Sequence, residues 1–168
     1  SPRPVQGEGP LVVGWTGSVG EHGDNKGLLD FIRPACEVLA DVTLKTVTRE
    51  DDWLPYELMP QFYREIDVYL CSSESEGTPN PVLEAAASAR AVISTPVGIV
   101  PMLIDDGYNG FIIPRTVDAI QNAVRTLRDQ REVCRQMGQN NRKVIESEGW
   151  GWQHRAVNYQ RMFDAVLG

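Results

Sequence analysis

The chain has 168 residues, of which 42% are hydrophobic and 23% charged, and its formal net charge is −7. That length suits one domain with a substantial core, and the composition is ordinary for a globular protein in water. A negative protein is repelled by nucleic-acid backbones and anionic bilayers, so the charge argues against general binding of either, while leaving room for a local basic pocket.

In chain order, the first predicted element is a short buried strand over Leu11 to Trp15, followed by a glycine-rich loop from Gly17 to Asn25. Asp24 or Asn25 can cap the next helix, predicted from Lys26 to about Leu39. Its apolar residues Leu28, Leu29, Ile32, Ala35, Cys36 and Leu39 recur at helical spacing. Pro34 should kink or split it. Val42 to Val47 alternates as a strand does, Arg49 to Pro55 is a polar loop, and Glu57 to Glu65 reads as a helix with Pro60 near its first turn.

An apolar run from Ile66 to Cys71 follows and reads as a buried strand. The loop after it carries two glutamates eight positions apart, Glu76 and Glu84, and leads into a helix over Pro81 to Ala89. Asn80 is placed as the cap of that helix and Pro81 as its first residue. Ala91 to Ser94 is a further strand, Val100 to Ile104 a short helix, and Phe111 to Ile113 a last short strand. Asp106–Gly107 and Asn109–Gly110 read as turns with positive φ available. Three helices are predicted beyond, over Val117 to Leu127, Arg131 to Glu148 and Trp152 to Leu167.

Strands alternating with helices imply a Rossmann-like parallel α/β sheet covered by helices on both faces. One domain over residues 1–168 is expected: a linker over 1–10, alternating strands and helices over 11–115, and helices over 116–168. The opening SPRP is linker-like, as in a fragment cut from a longer protein at a domain boundary. Cys36, Cys71 and Cys134 are odd in number and widely spaced, which builds no disulfide framework or metal cluster and favours a reducing compartment. The sequence has no apolar run long enough to span a bilayer and no signal-peptide pattern.

Ligands of open α/β sheets sit at the carboxyl edge of the strands, where the Glu76 loop lies. A helix N-terminus attracts phosphate through its free N–H groups and its dipole. Pro79 and Pro81 have no N–H, so the candidate donors are Gly77, Thr78, Asn80, Val82 and Leu83. An anion seat beside carboxylates that accept from hydroxyls suits a nucleotide sugar. Glutamates in loops and on helices are usually plain solvated surface, so the pair gains weight only from its surroundings.

Those surroundings are specific. The blocks PQFYREIDVYL (residues 60–70), SESEGTPNPVLEAAA (73–87), AVISTPVG (91–98) and DGYNGFIIP (106–114), in this order and at these spacings, resemble the nucleotide-binding half of retaining glycosyltransferases of the GT-B fold, in particular the large family 4 group. The resemblance runs from Val12 to about Phe163. It implies a whole enzyme of two Rossmann-like halves, with the nucleotide sugar held by the C-terminal half and the acceptor by an N-terminal half missing here. It implies no metal or other cofactor, since protein groups neutralise the diphosphate. Glu76 then accepts from donor-sugar hydroxyls and takes the catalytic role, and Glu84 accepts from the ribose hydroxyls. In the loop GWTGSVGEHGDNKG (14–27), Lys26 matches a phosphate-binding lysine, but Trp15 stands where many relatives have an arginine. Gly17 and Ser18 are expected to offer N–H donors instead, or Lys45 or Arg49 to reach in.

The reading is therefore the donor-binding half of a sugar transferase, inactive in isolation, partnered by a nucleotide diphosphate sugar and its own N-terminal domain. A cytoplasmic location is expected, with peripheral membrane association of the full-length protein left open. The alternative is a non-catalytic nucleotide-sugar-binding or regulatory module of the same fold, which the replaced arginine favours. A sugar-nucleotide epimerase can share this architecture, but the Glu76–Glu84 loop argues for a transferase. A receiver-type phosphoacceptor domain needs acidic residues clustered after the first strand, and Gly14 to Gly17 provides none. Neither His22 nor His154 sits in a nucleophile or metal constellation, and Trp53, Tyr63, Trp150, Trp152, Tyr159 and Phe163 are assigned to the core. Arg155 and Arg161 are left to an interface with the other half.

Overall fold

The computed structural model describes residues 9–20, 24–51, 54–147 and 149–150. Five strands form one all-parallel sheet in the order β2-β1-β3-β4-β5: β1 (Leu11–Gly17), β2 (Val42–Thr48), β3 (Val68–Cys71), β4 (Ala91–Ser94) and β5 (Gly110–Ile112). Helices α1 (Arg33–Glu37), α2 (Met59–Glu65), α3 (Asn80–Ala87), α4 (Val100–Leu103), α5 (Val117–Asp129) and α6 (Arg131–Ser147) complete it. This is the Rossmann-like α/β class that the alternation predicts.

Successive strand residues point to opposite faces, so a buried parallel strand must be apolar on both. Val13, Trp15, Val68, Leu70, Ala91 and Ile93 face a core shared with α1 and α5. Tyr69, Cys71 and Val92 face the opposite core, shared with α2, α3 and α4. Helix α6 serves both: Cys134 and Met137 join the first, Val144 and Ile145 the second. Burial pushes the thiols of Cys36 and Cys134 up to about 12, as suits small core residues.

Three boundaries differ from the sequence expectation, each for a local reason. The first helix begins at Leu28, not Lys26, because Asp24 accepts from the N–H groups of Leu28, Leu29 and Asp30 at 2.9, 2.5 and 2.7 Å. It starts as a π-turn over Leu28–Ile32 and takes α register only at Arg33–Glu37, as expected where Pro34 removes a hydrogen bond. β3 starts two residues late, since Asp67 is drawn aside: its carboxylate accepts from Val12 N–H at 2.9 Å and pairs with Arg131 at 3.3 Å. Asn109–Gly110 is not a positive-φ turn. Gly110 opens β5, and the buried Asn109 side chain bonds Leu103 O and Asp105 N–H at 2.9 and 2.8 Å. The helix expected over Trp152 to Leu167 lies outside the described residues.

Candidate functional site

β2 lies on one side of β1 and β3 on the other, so the chain reverses its winding at β1 and the strand ends part there. The loop after β1 and the loop after β3 meet across this crevice. Gly27 makes the meeting possible: it sits at φ 74°, and a Cβ on it would lie 2.2 Å from Ser72 Oγ and 2.7 Å from Ser72 O. Ser72 Oγ in turn donates to Lys26 O at 3.1 Å or Gly27 O at 3.2 Å, and Glu74 N–H donates to Asn25 O at 2.9 Å.

Two adjoining hollows occupy the crevice, of about 390 and 240 Å³. Thr16, Lys26, Asn80 and Pro81 wall both. The larger extends toward the end of β2, past Gly17, Ser18, Arg49 and Tyr56, and contains Glu84. The smaller holds Tyr69, Ser73, Thr78 and Glu76. The two glutamates, eight positions apart in the sequence, thus serve different lobes with one lysine between them.

Lys26 Nζ forms an ion pair with Glu76 Oε1, which also accepts from Ser73 Oγ at 2.8 Å. Glu84 Oε2 accepts from the Tyr63 hydroxyl at 2.7 Å. Tyr63 is a core residue, as assigned, but its hydroxyl reaches the site, which periodicity could not show.

The anion seat at α3 is narrower than the sequence suggests. The helix starts at Asn80 with Pro79 as its cap residue, so Asn80 is not the cap and makes no side-chain capping bond. The first turn of a helix has the only N–H groups not already spent on carbonyls. Val82 N–H is spent nonetheless, on Pro79 O at 2.9 Å. Val82 and Leu83 wall neither lobe. The N–H groups of Gly77, Thr78 and Asn80 remain as candidates.

The loop after β1 carries its own carboxylate. Ser18 Oγ donates to Glu50, Val19 N–H donates to Glu50 at 3.1 Å, and Gly20 N–H turns back to Ser18 Oγ at 3.2 Å. These bonds, from Ser18 first and then Val19, hold Glu50 below the usual carboxylate range. The Ser18 hydroxyl is therefore taken by Glu50, whereas the N–H bonded to Glu50 is that of Val19. Trp15, at the expected arginine position, is buried in the core and touches only the smaller lobe. Lys45 is paired with Glu65 and walls neither lobe, whereas Arg49 lines the larger one. His22 and Trp53 lie outside the described residues. Among the described residues, no group of three or more His, Cys, Asp or Glu side chains could hold a metal.

Sequence reasoning passed over Arg115. It follows β5, and its guanidinium donates to Ser72 O at 2.8 Å, Asp24 O at 2.9 Å and Asn25 O at 3.3 Å while lying 4.4 Å from the centre of the Phe31 ring. It ties the two loops together. The available signal was a cation just past the carboxyl end of a strand.

Residues 52–144 match the family described as glycosyl transferases group 1. The chain belongs to this family. Among relatives by sequence, trehalose synthases of Thermococcus litoralis and Pyrococcus furiosus are each 29% identical over 136 residues, covering 81% of this chain and 32% of theirs. The chain thus spans about a third of the length of these curated relatives. Among solved structures, sucrose-phosphate synthase from Thermosynechococcus elongatus superposes with a TM-score of 0.82 at 17% identity, covering 95% of this chain and 46% of that one. The Anabaena protein HepE, solved with UDP and glucose, gives 0.71 at 17% identity over 94% of this chain and 48% of its own. The C-terminal domain of a group 1 glycosyl transferase from Francisella tularensis, solved by itself, gives 0.71 at 24% identity, with 83% and 86% covered. The group 1 fold here is that of the C-terminal, Rossmann-like domain of GT-B glycosyltransferases. No helix of the described residues is long and apolar enough to cross a membrane.

Proposed function

We propose that this domain holds the nucleotide-sugar donor of a retaining glycosyltransferase. The observation that carries the reading is the pair of lobes at the β1/β3 crevice, one walled by Glu84, the other by Glu76, with Lys26 common to both. The nucleoside lies in the larger lobe with its ribose hydroxyls donating to Glu84. The diphosphate crosses at Lys26, and the sugar lies in the smaller lobe with hydroxyls donating to Glu76. An ammonium has three donors, so Lys26 can keep Glu76 in place and still meet a phosphate oxygen.

In the transfer, the bond from the anomeric carbon to the diphosphate oxygen breaks, a bond to an acceptor hydroxyl oxygen forms on the same face, and the hydroxyl proton passes to the departing diphosphate. The departing diphosphate gains negative charge, which Lys26 and the N–H groups of Gly77, Thr78 and Asn80 stabilise. No metal is needed in this scheme. The acceptor and the remaining catalytic groups belong to a second domain, so the 168-residue chain binds donor without transferring sugar.

Titration calorimetry of the chain against uridine, guanosine and adenosine diphosphates and their glucose conjugates tests this. Binding of at least one is expected, and Glu84→Ala should weaken it about ten- to a hundredfold, the worth of a charge-assisted hydrogen bond. Absence of heat with the whole panel, or an unchanged affinity in Glu84→Ala, refutes the donor site. One observation favours a second reading, a binding module without catalysis: the buried Trp15 supplies no counter-charge where relatives carry an arginine. Turnover by the full-length protein with a bound donor would dismiss it.

A further inference from the structure

The two tyrosines beneath the crevice have hydroxyls aimed at its walls. Tyr63 on α2 and Tyr69 on β3 are 2% and 3% exposed, their rings meet edge to face at 6.2 Å, and Phe62 packs on Tyr63 at 5.3 Å. Tyr69 OH donates to Thr16 O at 3.2 Å, fixing the end of β1. Tyr63 OH donates to Glu84 Oε2 at 2.7 Å. A hydroxyl that is buried on a ring wedged between two other rings has little freedom, so the direction of this bond is set by the core and not by solvent.

Glu84 is different. It is half-buried on the face of α3, with its carboxylate in the larger lobe. A glutamate side chain has several rotatable bonds, and ordering it on binding takes free energy from the complex. With Oε2 held by Tyr63, that ordering is done in advance. Among the described residues Oε1 takes no hydrogen bond, so its lone pairs are left to accept from a ligand.

We propose that Tyr63 is a positioning residue for Glu84 and that it sets the preference of this site for ribonucleotides over nucleotides lacking ribose hydroxyls. The inference rests on the donor-site reading above, in which Glu84 meets the ribose. Burial, with Tyr69 and Glu84 adding to it, pushes the Tyr63 phenol far above its ordinary range, so it remains a donor at neutral pH. A positioned carboxylate gains only from hydroxyls that it can accept from, so its benefit should vanish when the ligand has none.

The test compares each diphosphate that binds, among those of uridine, guanosine and adenosine, with its 2′,3′-dideoxy counterpart. Tyr63→Phe removes the hydroxyl and keeps the ring. It should weaken the ribonucleotide about three- to tenfold, the loss of one hydrogen bond, and leave the dideoxy compound unchanged. In a Glu84→Ala background Tyr63→Phe should have no further effect on either. Glu84→Asp, one methylene short of Tyr63, should reproduce the loss of discrimination, and it serves if Tyr63→Phe does not fold. Equal losses for both ligands, or none for the ribonucleotide, would overturn the positioning role. Failure of the donor site itself is separate: wild type would then bind neither compound, or Glu84→Ala would lose nothing.

Discussion

Gly98 decides where the Glu76 loop can sit, and its replacement has a calculable consequence. The residue lies between β4 and α4 at φ 51°, and a Cβ built on it would stand 2.0 Å from Gly77 O and 2.7 Å from Glu76 O. Both are backbone atoms of the catalytic-loop candidate, and Ile99 N–H donates to the same Gly77 O at 3.2 Å. Gly98→Ala therefore meets two penalties: roughly 1–2 kcal/mol for an L-residue in the left-handed region, and about 1–3 kcal/mol for forcing backbone apart. Gly107 isolates the first, because it has φ 83° with nothing within 4 Å of its would-be Cβ. Gly77, with ordinary φ and open space, has neither. Urea unfolding followed by circular dichroism should then rank the alanine variants. Gly77→Ala should fall within about 0.5 kcal/mol of wild type. Gly107→Ala should lose about 1–2 kcal/mol and Gly98→Ala about 2–5 kcal/mol, a drop in Tm on the order of 10 °C. Calorimetry on the same set should show weaker nucleotide binding in Gly98→Ala alone of the two destabilised variants. Equal stability losses for Gly98→Ala and Gly107→Ala would refute the backbone contact as the cause.

Arg115→Ala should lose roughly 1.5–3 kcal/mol, the range of a hydrogen bond from a charged group, and weaken nucleotide binding because both crevice loops are released; Arg115→Lys should rescue little, since one ammonium cannot reproduce the fork over Ser72 O and Asp24 O. Urea midpoints and calorimetry read both effects. Glu50 titrates below its ordinary value of 4.5, so its contribution is present above that pH and is lost as pH falls through the lower, folded value. The stability difference between wild type and Glu50→Gln, followed by urea midpoints from pH 7 to pH 3, should therefore shrink below about pH 4.5. A difference that is flat, or that grows with acid, would remove Glu50 from the loop.

Much of the architecture was legible because local rules and packing agree. The strand runs at Val68 and Ala91 are apolar enough for two-sided burial, the run at Val42 alternates as an edge strand does, and α5 and α6 carry helical periodicity over several turns. Thr116, an extended residue that accepts from Ala119 N–H at 3.2 Å, starts α5 as a helix cap should. Boundaries slipped where a distant partner intervened, as Val12 and Arg131 do at Asp67. The candidate site was legible in its residue types, in that Lys26, Glu76 and Glu84 all line one crevice. Its wiring was not. Nothing in the spacing tells that Glu50 sits on Ser18 or that Arg115 braces both loops, because those bonds join residues 32 to 91 positions apart.

By itself, the sequence determined the alternation of strands and helices, the two glutamates on one loop and helix, and a family signature in order and spacing. These are properties of neighbours along the chain, where hydrophobic period and turn chemistry act directly. The tertiary structure alone decided that the glutamates face separate lobes, that Lys26 stands between them, and that Tyr63 holds one of them from the core. Those arrangements depend on the order of strands in the sheet and on which side chains the cores bring to its carboxyl edge, and no local pattern encodes either.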